Sequence, residues 1–218
     1  MWFALEVTRV IKSISYDQTE IINSILKLHV VSRKIDCDPT YSKGNLYNNT
    51  CVEPPIYKFD INPIDGVEYG DSRNLPLCNE SIECIMFDPP FLATSGKSLL
   101  EENDNNIINK RFGVYPSESK LHQFYIDSMK EAFKVLKNGG ILIFKCQDKV
   151  SSGKQYFSHC FIKEEAEKVG FYPKDLFILL AKNRIIADWQ REHQKNARKF
   201  HSYFWVFKKS KIKVAYII

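Results

Sequence analysis

Long apolar runs, paired cysteine motifs and a leader-like start are what this chain lacks. No apolar stretch approaches the roughly 20 residues of a membrane-spanning helix. Residues 1–10 lack the basic-then-apolar build of a secretory signal, so a soluble, cytoplasmic protein is expected. The six cysteines (Cys37, Cys51, Cys78, Cys84, Cys146, Cys160) include no C-x-x-C pair. Several sit in apolar runs, as Cys84 and Cys146 do, which favours buried free thiols over disulfides or zinc. The histidines (His29, His122, His159, His193, His201) show no ligand spacing, so no metal is expected. Internal repeats are absent, and no linker splits the chain.

What is present supports one sizeable core. The 218 residues are 44% hydrophobic and 13% aromatic, enough apolar side chain to offset the entropy of folding. The net charge of +5 is unevenly placed: ten Lys or Arg fall between Lys182 and Lys213, against only Asp188 and Glu192. Such a cluster suits a polyanion partner or an ordinary solvated face, and charge alone does not separate the two.

Periodicity predicts a helix over 16–28, then short strands at 34–37, 56–60, 67–69 and 82–87. Each of these strands ends in or beside an acidic residue, mostly next to Pro or Gly. In an open parallel sheet ligands bind beyond the carboxyl ends of the strands, so four such endings in succession mark one edge. Residues 92–117 read as a mobile insertion, because a polar stretch of that length has no apolar period before Ile107. A helix follows over 118–136, closed by Asn138-Gly139-Gly140. A buried strand at 141–144, a helix at 161–169 stopped by Gly170, and strands at 175–181 and 202–207 complete the pattern. Alternating elements predict an α/β fold with a mostly parallel sheet and an antiparallel last strand.

The sharpest short motif is Phe87-Asp88-Pro89-Pro90-Phe91, directly after the most apolar strand. Two prolines fix φ and remove two N–H donors, so the backbone leaves the sheet in a set, extended turn. Asp88 then presents a carboxylate, the Pro89 carbonyl a second acceptor, and Phe91 a ring face. Two acceptors beside one aromatic plane suit an exocyclic amine on a flat heterocycle. Taken alone, the motif arises often enough by chance that a strand-capping Asp before a Pro-Pro exit turn is the commoner reading.

This constellation resembles the Asp-Pro-Pro-Tyr/Phe signature of S-adenosylmethionine-dependent amino-methyltransferases that act on adenine N6 or cytosine N4 of DNA. The resemblance covers about residues 33–209. It includes Arg111-Phe112, the helix–Gly-Gly–strand passage over 135–144, Lys145-Cys146-Gln147-Asp148, Ser151-Ser152-Gly153-Lys154-Gln155 and the stretch 197–204. It implies a single Rossmann-like methyltransferase domain at 33–209 with a seven-stranded sheet. An N-terminal extension and helix (1–32) would pack on that domain, a basic insertion would occupy 184–200, and a tail would follow at 210–218.

The resemblance also implies site residues. Asp88, Pro89, Pro90 and Phe91 would be catalytic. Asp36, Asp38, Thr40 and Gly44 would line the loop after the first strand. Asp60, with Ile61 beside it, would take the ribose hydroxyls, and Asp71 and Ser72 the adenine. Arg111, Lys154, Arg184, Arg191, Lys195, Arg198 and Lys199 would contact nucleic acid. The expected cofactor is S-adenosyl-L-methionine and the expected partner DNA. The first loop departs from the family pattern: Gly44 stands without the usual G-x-G, and Tyr41 and Lys43 occupy positions of small residues. No sizeable target-recognition domain is present, so specificity would come from the insertions or from a partner subunit. Two alternatives share the motif: an RNA base amino-methyltransferase, and a non-catalytic nucleic-acid-binding subunit of the same fold.

Overall fold

Residues 82–87 and 141–144 are large and apolar at successive positions, the pattern of strands covered on both faces. They form the centre of the sheet. The structure, a computed structural model, describes residues 10–93, 115–151, 153–183, 192 and 194–212. Its strands are β1 (Ile14–Ser15), β2 (Cys37–Asp38), β3 (Tyr57–Asp60), β4 (Glu68–Tyr69), β5 (Ile82–Phe87), β6 (Leu136–Cys146), β7 (Lys149–Ser151), β8 (Lys154–Tyr156), β9 (Phe171–Leu180) and β10 (His201–Lys209). Three helices are described: α1 (Gln18–His29), α2 (Glu118–Val135) and α3 (Ser158–Val169). Eight strands make the main sheet in the order β1-β9-β10-β6-β5-β2-β3-β4, and β7 and β8 form a separate hairpin. Strand β10 runs antiparallel to both neighbours, and the other pairings in the main sheet are parallel.

The α/β class and the reversed last strand are therefore as expected. The strand count is eight and not seven, because Ile14-Ser15 adds an edge strand in register with Ile178 and Leu179. Two residues are too short for a periodic signal, so nothing in the sequence marked them.

Period-two alternation sorts the central side chains onto two faces. Cys84, Met86, Ile141 and Ile143 meet Ile21, Ile22, Ile25 and Leu26 of α1. Ile85, Phe87, Leu142 and Phe144 meet Leu121, Tyr125 and Met129 of α2 and Ile162 and Ala166 of α3. Helix α1 begins where Asp17 accepts a hydrogen bond from the Thr19 N–H at 2.8 Å, a side-chain cap. Helix α3 stops at Gly170, whose φ of 119° is left-handed. It starts at Ser158, three residues before its periodicity becomes visible.

The first half of the sheet differs from expectation. Strand β2 is two residues long, and neither 39–56, 61–67 nor 70–81 contains a helix. The chain crosses between β2, β3, β4 and β5 in turns alone. Cys37, Cys84 and Cys146 are buried free thiols, but Cys51, Cys78 and Cys160 are exposed. No helix among the described residues is long and apolar enough to cross a membrane.

Candidate active site

Asp88 follows the last residue of β5, at the carboxyl edge of the sheet between β6 and β2. Its corner is held from several directions. The Tyr125 hydroxyl of α2 donates to the Pro90 carbonyl at 2.7 Å, and Lys149 Nζ donates to the Phe91 carbonyl at 2.5 Å. The Tyr115 N–H donates to the Leu92 carbonyl at 3.0 Å. Three consecutive carbonyls are thus fixed by three different elements, and the Asp88 N–H donates to Thr40 Oγ1 at 3.0 Å. Asp88, Pro90 and Phe91 are half-buried and Pro89 is buried.

The Asp88 carboxylate is ion-paired. Lys145 Nζ lies 2.8 Å from Oδ2, and both side chains keep partial access to solvent. Among the described residues, none donates to Asp88 Oδ1 or to the Pro89 carbonyl. Lys145 was not among the expected site residues, although the Lys145–Asp148 stretch carried part of the resemblance. Its position at the end of β6, the strand beside β5, puts it opposite Asp88. Lys149 reaches further back to Glu118 Oε2 at 3.0 Å, and burial lowers its pKa.

The loop after β2 is tied to this corner through Asp38. The side chain is fully buried and accepts from the Thr40 N–H at 2.8 Å, Thr40 Oγ1 at 3.0 Å and the Tyr47 hydroxyl at 2.7 Å. Desolvation pushes its pKa up to about 7 against the pull of these donors, and the Asp88 charge adds to the rise. Asp38 thus braces the loop rather than facing outward. Asp36 likewise turns inward, accepting from the Glu83 and Cys84 N–H groups at 2.7 and 3.2 Å. Ser72 is buried with its hydroxyl 2.9 Å from that of Ser128 on α2. These three expected ligand contacts belong to the protein's own framework; a residue beside a strand end reads the same in sequence whichever way its side chain turns.

Asp60 is placed differently. Its Oδ2 accepts from the Ser42 N–H at 2.9 Å and its Oδ1 from the Asn62 N–H at 2.8 Å. A carboxylate has about four acceptor positions, so each oxygen retains one. Ile61, immediately after it, is 54% exposed, an apolar surface next to the acid. Asp71 is shared: Arg73 holds both oxygens, with Nη2 at 2.6 Å from Oδ2, and this hydrogen bonding lowers the Asp71 pKa. Arg73 also lies over the Phe124 ring at 5.9 Å. At Gly44, with φ at 67°, a Cβ would fall 2.7 Å from the Tyr41 hydroxyl oxygen. Tyr41 therefore covers that glycine, and it stacks on Tyr47 with ring centroids 5.3 Å apart.

Of the expected nucleic-acid contacts, Lys154, Lys195 and Arg198 are exposed and Lys199 is half-buried. Arg111, Arg184 and Arg191 lie outside the described residues. His159, read from sequence as structural, bonds Asp148 at 2.8 Å and stacks on Tyr203 at 4.2 Å, joining α3 to the ends of β6 and β10. Neither the cavity lined by Tyr16, Lys182 and His201 nor the one lined by Asn23, Ile35 and Val52 touches Asp88.

No protein-family model matches the chain, and no curated protein matches it. Solved structures are similar at low identity. A protein of Thermus thermophilus assigned as a DNA modification methylase is 14% identical over 75% of this chain and 58% of its own, with a TM-score of 0.46. The cytosine-N4-specific PvuII DNA methyltransferase is 18% identical over 66% of this chain and 49% of its own, at 0.47. The [4+2]-cyclase SpnF is 12% identical over 88% of this chain and 80% of its own, at 0.49. This chain spans about half the length of the two DNA methylases.

Proposed function

We propose that the protein transfers a methyl group from S-adenosyl-L-methionine to the exocyclic amine of a base in DNA, adenine N6 or cytosine N4. The observation that carries this reading is the braced corner: Asp88 Oδ1 and the Pro89 carbonyl at the end of a central parallel strand, with Phe91 beside them.

The residues present fit the cofactor at one end and resist it at the other. Asp60 retains one acceptor position per oxygen for two ribose hydroxyls, and Ile61 offers apolar surface alongside. Asp71 is available to an adenine amine only in competition with Arg73. At the methionine end Tyr41 covers Gly44, so that side chain must swing away before backbone and ligand can approach. When bound, the cofactor supplies an electrophilic methyl carbon on a positive sulfur; the new C–N bond forms as the C–S bond breaks, and the amine proton leaves to solvent.

The chain's own contribution is orientation. Asp88 and the Pro89 carbonyl accept the two amine N–H bonds and fix the direction of the nitrogen lone pair. Phe91 carries the face of a base taken out of its stack. Holding both reactants in near-attack geometry supplies on the order of 7–11 kcal/mol. Lys145 restrains the carboxylate through Oδ2 and leaves Oδ1 for the amine. Lys154, Lys195, Arg198 and Lys199 would meet phosphates, with Arg111, Arg184 and Arg191 added from the sequence.

The test is incubation with labelled S-adenosylmethionine and separate DNA and RNA pools, followed by digestion to nucleosides. Label on N6-methyladenine or N4-methylcytosine of DNA is expected. Asp88→Ala should lower transfer by about 10³-fold, the scale of losing a positioned polar contact at the reacting centre, while cofactor affinity stays near that of the wild type. Transfer by this variant at the wild-type rate would remove the role given to Asp88. Label in RNA would move the substrate class.

A second reading is favoured by the Tyr41–Gly44 contact and by the internal use of Asp36, Asp38 and Ser72. It is a nucleic-acid-binding subunit that keeps the fold without turnover. Absence of measurable cofactor binding by the intact chain would decide for it.

A further inference from the structure

A cavity of about 390 Å³ opens beside the outermost strand β1, lined by Tyr16, Leu180, Lys182, Asn183, His201 and Ser202 among others. Its volume lies within the range of small-ligand sites, roughly 300–1,000 Å³. Strand β9 runs parallel to β5, since each is linked through β6 and the reversed β10. The ends of β1 and β9 and the start of β10 therefore reach the same edge of the sheet as Asp88. From β5 to β1, which Tyr16 follows, there are four strand spacings, about 19 Å at 4.7–4.9 Å each.

The lining has the parts of a nucleobase seat. Tyr16 is 60% exposed and presents a ring to the opening. Lys182 Nζ lies over the face of that ring, 5.8 Å from its centre, a cation–π contact that a base stacking on that face displaces. Gln18, Asn183, His201 and Ser202 line it with polar residues, and Leu179, Leu180 and Ala181 with apolar ones. Aromatic faces bordered by cations bind single-stranded nucleic acid by stacking, whatever the base. The basic residues Lys195, Arg198 and Lys199 lie on the chain that leads back into β10.

We propose that this cavity holds an unpaired base of the same DNA strand, flanking the one presented to Asp88. The proposal rests on the nucleic-acid reading above and adds a second contact point to it. A distance of about 19 Å corresponds to about five or six nucleotides at the 3.4 Å rise of a stacked strand, and to fewer in an extended one. The base stacks on Tyr16, and Lys182 neutralises the adjoining phosphate. The fold thereby reads the strand at two places set apart by its own sheet.

The experiment is equilibrium binding of the full chain to a fluorescent single-stranded oligodeoxynucleotide in which one abasic residue is moved along the sequence. In the wild type one flanking position is expected to weaken binding about tenfold, within the range of one base–aromatic stack. In Tyr16→Ala the same position should have no effect, because the stack is already lost. Lys182→Gln should weaken binding severalfold and flatten the salt dependence by close to one phosphate, about 0.7 in log–log slope on a single strand. Both side chains are exposed, and thermal melting confirms that the variants fold. An abasic profile that is unchanged in Tyr16→Ala overturns the proposal, as does a wild type indifferent to every abasic position. Coupling between Tyr16 and one position without any methyl transfer would uphold the cavity and reject the enzymatic reading; transfer without coupling would do the reverse.

Discussion

The two halves of the sheet are built by different means. Strands β5, β6, β9 and β10 have 6, 11, 10 and 9 residues and lie under helices on both faces. Strands β2, β3 and β4 have 2, 4 and 2 residues, and the described crossovers around them hold no helix. Packing sets the first group. The second depends on carboxylates: Asp36 caps the start of β5, Asp38 gathers Thr40 and Tyr47, Asp60 ties the Ser42 and Asn62 loops, and Asp71 fastens Arg73. The acids expected at the cofactor edge therefore have structural work as well. Only Asp60 combines open acceptor positions with a place beside an exposed apolar residue.

This contrast can be broken from either side. Phe144→Ala in β6 should give the largest loss of stability, about 3–5 kcal/mol, because a ring packed among Phe87 and Tyr125 leaves a cavity. Chemical denaturation measures it, and a loss below about 1 kcal/mol would deny the packing account. Asp60→Ala should cost less, about 1 kcal/mol, since it frees two loop N–H groups that water can reach. Hydrogen exchange should show that loss confined to 40–71, with β5 and β6 unaffected; a uniform loss would mean that the halves unfold as one.

Asp38 gives a pH-dependent version of the same test. Its pKa is pushed up to about 7 in the fold, against an ordinary value of 3.8, so the folded chain favours the protonated acid. The unfolded chain binds fewer protons between those values. Stability from this group is present below about pH 4 and lost as pH rises through about 7. Asp38→Asn should remove that decline while keeping an oxygen for the Thr40 N–H. Equal slopes in the two proteins over about pH 4–7 would contradict the burial. Smallest of all should be Arg73→Gln, which releases Asp71. Cofactor affinity is expected to rise by about fivefold, the size of one net hydrogen bond, and no change in calorimetric binding would place the adenine elsewhere.

Sequence patterns placed the elements of the second half of the sheet, because continuous apolar runs and helical spacing are local records of burial. They did not place the starts: Asn138-Gly139-Gly140 lies inside β6, which begins at Leu136, rather than closing the helix, and β9 begins at Phe171 rather than 175. The limits of β5 and the stop at Gly170 could be read directly. The motif at Asp88 was legible too, since two prolines after an apolar strand leave the backbone few paths. Lys145 was not, because nothing local says that the end of one strand faces the end of the next. Nor was the inward turn of Asp36, Asp38 and Ser72. Asp, Pro and Gly at strand ends announce a change of direction, and they are the same whether the carboxylate goes to a ligand or to the backbone.

The amino-acid order by itself determined the α/β alternation, the two-sided burial of the central strands and the rigid corner after β5, all of which depend on neighbours within a few residues. Only the tertiary structure decided that Lys145 grips Asp88, that Tyr41 covers Gly44, and that Tyr16 and Lys182 meet across a cavity. Those contacts join residues whose approach depends on strand order and side-chain direction, which local composition does not encode.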